Sequence, residues 1–306
     1  MKLKDLGRVG IVGGGGGLRG ISTVGFLRAL IERGVHRQVN YLFGVSVSAL
    51  VLSAFSKARD PEDWQDIWES VRTRFNIIEK RGAGAVFDFS FRRLVTGAES
   101  MVDNSRLSDL LKDLDPKECV TSPMHFEAAV LSRHYGRKII LSNHSNIFKK
   151  KPILFPKLPE GSSALTPFFA PVRLPINGEE DMLSDGISIF MGSAVKRCDT
   201  IFALFPYPKQ YVARPVEQYG RLSPMHIPIV RNFVESYEIQ HKVEDDLVLG
   251  CAVSHAKISG RPRIIPVYAD TCPVSVGPLD FAKGDYPVAC KMAEELMSRK
   301  LHTLEL

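Results

Sequence analysis

The sequence contains no run of apolar residues long enough to cross a bilayer. Glycines interrupt its apolar N-terminal stretch within a few residues, so the hydrophobic region and cleavage site of a signal peptide are also missing. These absences predict neither a transmembrane segment nor secretion. We therefore expect a cytoplasmic protein whose contacts with any membrane are peripheral.

Cysteine is scarce, and no two cysteines form a CxxC pair. The five residues are Cys119, Cys198, Cys251, Cys272 and Cys290. An odd, dispersed set favours reduced thiols over a disulfide framework or a zinc site. The eight histidines likewise form no HxxxH or Cys–His pattern. The sequence therefore predicts no bound metal and no disulfide framework.

Neither charge nor composition is extreme. A net charge of +6 and a pI of about 9.0 favour anionic surfaces, such as lipid headgroups or nucleic acid, without choosing between them. The 306 residues, 44% of them hydrophobic, can bury a large core. The chain shows no repeats and no convincing linker, which predicts one α/β domain over residues 1–306. Its motif-bearing core would cover about residues 8–206, and a C-terminal elaboration about residues 207–306.

A glycine-rich loop opens the chain. Residues 8–12 read as a short strand, five consecutive glycines follow at residues 13–17, and apolar residues at helical spacing occupy residues 21–33. Ordering five glycines is entropically costly, so a mere spacer is a poor explanation. Such a loop lets backbone N–H groups approach a ligand closely, which suits a phosphate or an oxyanion.

A serine follows the next strand. Residues 41–43 read as the end of a buried strand, and residues 49–52 open a buried helix. Between them, Gly44, Ser46 and Ser48 follow the nucleophile-elbow pattern G-x-S-x-G except at its second glycine. In an elbow the helix N-terminus offers N–H groups to a developing oxyanion. The alternative is a loop serine that merely caps the helix.

The glycine loop has two interpretations. Gly15, Gly17 and Gly20 satisfy the dinucleotide pattern G-x-G-x-x-G, but the acidic ribose partner expected after the second strand is missing, and the nearest upstream polar residue is Asn40. In the other interpretation, two parallel strands bring the loop amides and Ser46 to one edge of the sheet. That arrangement would place an oxyanion hole beside a nucleophile.

A hairpin further along could supply a base. Residues 172–174 and 182–183 read as two short strands joined by an Asn177–Gly178 turn, and Asp185–Gly186 ends the second strand. An isolated Asp-Gly is more often just another turn.

The three motifs together, in this order, resemble the patatin-like phospholipases, which are acyl hydrolases with a Ser-Asp dyad. Residues 15–20 match the family's G-G-G-x-R-G motif in full. Gly44 and Ser46 match G-x-S-x-G, and Ser48 departs from it. The resemblance covers about residues 8–206.

The third motif is shorter. Asp185 and Gly186 match the family's D-G-[GA], and Ile187 is a second departure. The run at residues 163–171, Ser-Ala-x-x-Pro-Phe-Phe-Ala-Pro, resembles the approach to the family's catalytic aspartate.

The resemblance implies a three-layer α/β sandwich with a mostly parallel central sheet. It also implies that the protein is a lipid acyl hydrolase, which cleaves fatty-acyl esters of phospholipids or other glycerolipids through an acyl-enzyme intermediate. No metal or organic cofactor is expected. The implied catalytic pair is Ser46 and Asp185; the implied oxyanion hole is Gly15, Gly16 and Gly17; the supporting motif residues are Leu18, Arg19, Gly20, Gly44, Ser48 and Gly186. We expect Arg19 to brace the loop, an acyl lipid and an anionic membrane surface as partners, and no nucleic acid.

The two departures leave an alternative open. Ser48 should strain the elbow and lower the rate, and Ile187 should narrow substrate access. A catalytically impaired lipid-binding relative is therefore the main alternative, and a Rossmann-type dinucleotide-binding protein is a second.

A histidine base would make a triad in the order Ser, Asp, His. His241 and His255 fall in a long helical stretch, whereas a triad histidine sits on a loop past a strand end. Only His226, between two prolines, meets that condition. We predict a dyad in which Asp185 contacts Ser46 directly.

The remaining elements are coarser predictions. A helix should start at Asp60, residues 72–102 should form an irregular cover, and residues 105–114 a helix. A hairpin is expected over residues 125–133 and 137–143. Strands at 199–205 and 263–268 and helices at 229–258 and 286–301 complete the chain. Lys149, Lys150, Lys151 and Lys157 are either a solvated loop or a contact with anionic headgroups.

Overall fold

The structure is a computed structural model that describes residues 2–81, 111, 114–166, 169–210, 228–269 and 286–306. Its strands are β1 (Val9–Gly13), β2 (Val39–Gly44), β3 (His125–Ser132), β4 (Arg137–Ser142), β5 (Val172–Ile176), β6 (Glu179–Asp185), β7 (Thr200–Phe205) and β8 (Arg263–Tyr268). Its helices are α1 (Ile21–Glu32), α2 (Val47–Phe55), α3 (Asp63–Arg81), α4 (Pro116–Thr121), α5 (Asn146–Lys150), α6 (Lys157–Ser162), α7 (Gly192–Arg197), α8 (Pro228–Ser259) and α9 (Tyr286–Thr303).

All eight described strands belong to one sheet, in the order β5-β6-β3-β2-β1-β7-β8, with β4 paired to β3. The run β3-β2-β1-β7-β8 is parallel, whereas β4, β5 and β6 add antiparallel pairs at one side. The predicted mostly parallel sheet is confirmed. Strands β1 and β7 are buried throughout, as expected where helices cover both faces.

Side-chain alternation along the central strands produces two cores. Ile11, Leu42 and Phe202 face one layer, which contains α1, α2, α3 and α9. Phe43 and Ile201 face the other layer, which contains α7 and α8. Because successive strand residues point to opposite faces, the same strands bury both helical layers. The three-layer α/β sandwich is confirmed.

The pairing of β3 decides where the site lies. One edge of β3 pairs with β4 along most of its length. The other edge pairs first with β2, as far as Ala128, and then with β6 from Val130 onward. Strand β6 is antiparallel to β3, so its last residue, Asp185, pairs with Val130 just beyond the end of β2 at Gly44. The C-terminal ends of β2 and β6 therefore meet along the same edge of β3.

Both predicted hairpins are present. Strands β3 and β4 pair across a turn, and β5 and β6 pair across Asn177–Gly178, where both residues have positive φ (53° and 90°). Two positive φ values are typical of a type I′ turn, which an Asn-Gly sequence favours. Helix α8 extends the helix predicted over residues 229–258 by one residue at each end. No helix within the described ranges is long and apolar enough to cross a membrane.

Helix α3 differs from the prediction at both ends. It begins at Asp63 rather than directly after Asp60, because the Asp63 carboxylate accepts the N–H groups of Arg59 and Asp60 and holds them in the preceding turn. It continues to Arg81, so the irregular cover expected from residue 72 is wrong for its first ten residues. No glycine or proline interrupts that stretch. The rest of the predicted cover, and most of the helix predicted over residues 105–114, lie outside the described residues.

The lysine cluster lies at the end of α5. Lys149, Lys150 and Lys151 are exposed, whereas Lys157 donates a hydrogen bond to the carbonyl of Arg173 at 3.0 Å. Both interpretations of the exposed lysines remain predictions.

Candidate active site

Ser46 occupies a strained turn between β2 and α2. Its backbone has φ 55° and ψ −134°, a conformation that costs a non-glycine residue about 1–3 kcal/mol. Two serines hold this turn: the Ser46 N–H donates to Ser162 Oγ at 3.1 Å, and Ser163 Oγ donates to the Ser46 carbonyl at 2.8 Å. Gly44 is required because a Cβ there would lie 2.5 Å from the Ala49 Cα. The geometry is that of a nucleophile elbow.

Ser48 replaces the second elbow glycine without visible strain. It is fully buried within α2, its hydroxyl donates to the Gly14 carbonyl at 2.5 Å, and the Thr23 hydroxyl lies 3.2 Å away. Space for Ser48 comes from Gly13, where a Cβ would be 2.6 Å from the Ser48 Cβ. The expected strain at Ser48 is therefore not found, because its hydroxyl joins the elbow helix to the glycine loop.

The glycine loop lies beside the elbow because β1 and β2 are parallel neighbours, with Gly13 paired to Gly44. Gly14 anchors the loop by donating to the Leu204 carbonyl at 2.8 Å. Across the described ranges, no hydrogen bond uses the N–H groups of residues 15–17, the predicted oxyanion hole. Among the described residues, these three amides therefore have no hydrogen-bond partner.

The loop then turns through a 3-10 helix, Gly17–Gly20, that contains Leu18 and Arg19. A Cβ on Gly20 would lie 2.1 Å from the Val47 side chain, so the loop packs directly on the elbow helix. Arg19 forms an ion pair with Glu238 of α8 at 2.8 Å, with side chains only 10% and 15% exposed. Arg19 thus braces the glycine loop against α8.

Asp185 is the last residue of β6 and is buried. Its N–H donates to the Ala164 carbonyl at 3.1 Å, and its Oδ1 accepts the Ile187 N–H at 2.8 Å. The side chains of Ser46 and Tyr237 lie within interaction distance of the carboxylate. Oδ2 nevertheless makes no hydrogen bond of ordinary geometry with a described residue. The structure thus brings Ser46 and Asp185 together.

The environment of Asp185 changes its acidity. Burial raises the pKa of this carboxyl above its ordinary value, and the opposing influences are weaker. They are the charge of His241 and interactions with Ser46, the Ile187 N–H and Tyr237. A raised pKa makes Asp185 a stronger base than an exposed aspartate.

Ile187 departs from the family motif at a backbone position that favours glycine. Its φ is 65°, which is unfavourable for a β-branched residue, yet this conformation directs its N–H at Asp185. Gly186 packs closely, since a Cβ there would lie 2.4 Å from the Ala129 carbonyl oxygen. The backbone at Ile187 is therefore strained, whereas the sequence had suggested only that this side chain narrows substrate access. The expected narrowing of substrate access remains a prediction.

Helix α8 supplies a residue that the sequence argument set aside. His241 is buried, and a Cβ on Gly15 would lie 2.3 Å from its Nε2 and 3.0 Å from the Ser46 Cβ. Its position on a helix argued against His241 as a triad base, but α8 packs across the loop and places this residue beside the site. His255 on the same helix is exposed, and His226 lies outside the described residues.

The chain is similar to one known protein family and to several solved structures. A model of the family described as patatin-like phospholipase matches residues 11–187, more than half of the chain. Similar solved structures include VipD from Legionella pneumophila, at 12% identity and a TM-score of 0.44, and human GIVD cytosolic phospholipase A2, at 10% and 0.48. These alignments cover 97% and 99% of this chain but 67% and 60% of the two other proteins.

No match was found among curated protein sequences. The family match contains the glycine loop, Ser46 and Asp185 within its bounds. The chain belongs to the patatin-like phospholipase family.

Proposed function

We propose that this protein is a lipid acyl hydrolase that cleaves fatty-acyl esters of phospholipids or other glycerolipids through a Ser46–Asp185 dyad. One observation carries the proposal: a strained elbow serine lies beside a buried carboxylate and next to three unused loop amides. Nucleophile, base and oxyanion donors are the parts that acyl transfer requires.

In the acylation step, Asp185 accepts the proton of Ser46 Oγ as that oxygen attacks the ester carbonyl carbon. The carbonyl π electrons move to oxygen and form a tetrahedral oxyanion. When this intermediate collapses, the bond to the leaving oxygen breaks, acyl-Ser46 forms, and the proton held by Asp185 passes to the leaving alcohol. Asp185 then takes a proton from the attacking water, whose oxygen bonds to the acyl carbon. As the C–Oγ bond breaks, that proton passes to Ser46 Oγ and the fatty acid leaves.

The N–H groups of Gly15, Gly16 and Gly17 are the proposed donors to the oxyanion. Removing one such donor typically costs about 3 kcal/mol of transition-state stabilisation. This chain needs glycine at both positions, because a side chain at Gly15 would collide with His241 and one at Gly16 would lie 2.9 Å from Pro206. The loop must remain bare to leave its amides exposed to substrate.

The raised pKa of Asp185 addresses the weakness of an ordinary carboxylate as a base. Proton transfer is most effective when the pKa of the base approaches the operating pH. Burial moves the pKa of Asp185 in that direction. The N–H of Ile187 meanwhile fixes Oδ1, so the unpaired Oδ2 is the oxygen free to take the proton.

The test is release of fatty acid from phospholipid vesicles and from a monoacyl ester by the wild type and by Ser46→Ala. We expect the alanine variant to lose about 10⁶-fold in turnover, the loss typical when a serine nucleophile is removed. Ser53→Ala is the matched control, since Ser53 is a buried serine of α2, the helix that follows Ser46, and its hydroxyl donates to the Leu50 carbonyl. Equal turnover by wild type and Ser46→Ala would refute the nucleophile. A wild type that binds vesicles without releasing fatty acid would instead support the impaired lipid-binding alternative.

A further inference from the structure

His241 is held in a fixed orientation inside the site. Its Nδ1 lies 3.2 Å from Oδ2 of Asp245, one turn along α8. The Asp245 carboxylate is itself fully buried and fixed, because it accepts the Ile189 N–H at 2.7 Å and the Tyr207 hydroxyl at 2.5 Å. A carboxylate that binds one imidazole nitrogen determines which way the other nitrogen points.

The other nitrogen, Nε2, is buried and has no hydrogen-bond partner within the described part of the chain. It borders the space next to Gly15, and the Ser46 side chain borders the same space from the other side. Buried polar atoms nearly always have a hydrogen-bond partner, and one without a partner is often found at a functional site. An acceptor atom on a bound substrate would be the partner of Nε2 here.

Charge on the neighbouring groups favours the imidazolium form. Burial lowers the pKa of His241, but Asp245, Asp185 and Glu244 together raise it above its ordinary value. His241 is thus placed to act as a proton donor beside Asp185, the proposed proton acceptor. A pair of groups with opposite roles around one nucleophile is the usual arrangement of a general acid and a general base.

We propose that His241 is the general acid of the proposed reaction: Nε2–H protonates the leaving-group oxygen while Asp185 keeps the proton taken from Ser46. This role rests on the proposed function. It differs from the simple dyad, in which Asp185 returns its proton to the leaving alcohol.

The proton balance closes over a full turnover. In acylation, the scissile C–O bond breaks, its electron pair stays on the leaving oxygen, and the Nε2 proton transfers to that oxygen. Neutral His241 then takes a proton from the attacking water, whose oxygen forms the new bond to the acyl carbon. When the C–Oγ bond breaks, the proton on Asp185 returns to Ser46. Both acid and base recover their starting states.

The experiment compares kcat/KM of His241→Gln on two esters of one fatty acid, an alkyl ester and a p-nitrophenyl ester. An alkoxide needs a proton to leave, whereas p-nitrophenolate leaves without one. We expect kcat/KM to fall about 100-fold or more on the alkyl ester and about threefold or less on the p-nitrophenyl ester. Because kcat/KM reports only steps through acylation, slower deacylation does not confuse the comparison.

The matched control is His255→Gln, an exposed histidine on the same helix, which should change neither ester's kcat/KM. Asp245→Asn should show the same selective loss to a smaller degree, and it serves as the second variant if His241→Gln does not fold. Labelling of Ser46 by a fluorophosphonate should persist in His241→Gln, since fluoride also leaves without a proton.

Two results would overturn the role of His241. Equal losses on both esters would assign it to Ser46 activation, to the oxyanion or to structure, and no loss on either would leave it without a catalytic part. A wild type that hydrolyses neither ester would instead refute the proposed function and the general acid with it. An active wild type with equal losses would refute the general acid alone.

Discussion

Two regions of the molecule build the site, and they do so in different ways. The family-matched region, residues 11–187, contributes through loops at strand ends, where Ser46 and Ile187 adopt positive φ and glycines allow close backbone contacts. Helix α8 lies beyond that region and contributes through regular helix geometry. There the side chains that border the candidate site share one face of a regular helix.

The face of α8 follows helix spacing. Tyr237, His241 and Asp245 stand four residues apart, so they lie one above another on the same side of the helix. Glu238 is next to this row and pairs with Arg19 of the glycine loop. The candidate site thus has two halves. The backbone-built half consists of the loops within residues 11–187, and the side-chain-built half is this face of α8; they meet at Gly15.

The largest expected effect lies in the backbone-built half. Asp185→Asn should lose about 10³–10⁴-fold in turnover, because the amide cannot accept the Ser46 proton. His226→Ala, in a segment outside the described residues, should change turnover little. Steady-state ester hydrolysis by both variants is the measurement. An inactive His226→Ala would contradict the dyad and move the base to a triad histidine.

A substitution at Gly15 tests the contact between the two halves. Gly15→Ala should lower turnover about 100-fold, because its Cβ would lie 2.3 Å from His241 Nε2 and displace either the loop or the ring. Gly250→Ala is the matched control. Gly250 lies on the exposed side of α8, and a Cβ there would meet nothing within 4 Å. Kinetics and thermal unfolding of both variants decide the matter, and a fully active Gly15→Ala would show that the halves do not touch as described.

A double-mutant cycle on Arg19 and Glu238 measures how strongly this ion pair couples the glycine loop to α8. Because this ion pair is largely buried, we expect a coupling energy of about 1–3 kcal/mol in unfolding experiments. The exposed pair Arg37–Glu62, with side chains 58% and 66% exposed, is the control and should give a much smaller coupling energy, because solvent screens a surface ion pair. Equal couplings for the two pairs would mean that the brace contributes nothing beyond a surface contact.

The smallest effect is on stability and depends on pH. Folding raises the pKa of Asp185 above its ordinary 3.8, so the folded state favours the neutral carboxyl. That preference stabilises the fold below pH 3.8 and is lost as pH rises through the folded pKa. Asp185→Asn imitates the neutral form. It should therefore be more stable than wild type at neutral pH, with the difference vanishing on acidification. Urea unfolding at several pH values measures it, and a less stable variant at neutral pH would reverse the sign.

Much of the backbone-built half could be predicted from the sequence. The glycine run, the elbow serine and Asp-Gly are local patterns, and each reports a backbone conformation that few other residues adopt. Pairing of Gly13 with Gly44 and of Asp185 with Val130 then explains why the motifs converge. The strain at Ile187 could not be predicted, because an isoleucine carries no sign that its backbone has positive φ.

The side-chain-built half could not be predicted for a different reason. His241 and Asp245 lie in an ordinary helical sequence, and a four-residue spacing marks only a shared face. Which face of α8 meets the glycine loop depends on how a distant helix packs across the sheet. A signal was present in one respect: His241 and Asp245 are ionisable residues four apart in a predicted helix, a spacing at which two side chains can pair.

The most direct test of the central claim is covalent labelling by a fluorophosphonate, with the modified residue located by mass spectrometry. An activated serine displaces fluoride, whereas an ordinary serine does not react, and no knowledge of the natural lipid is needed. We predict a single adduct on Ser46. Labelling should be lost in Ser46→Ala, should be much slower in Asp185→Asn and should persist in Ser53→Ala. Absence of labelling in the wild type, or an adduct on another residue that persists in Ser46→Ala, would contradict the nucleophile assignment.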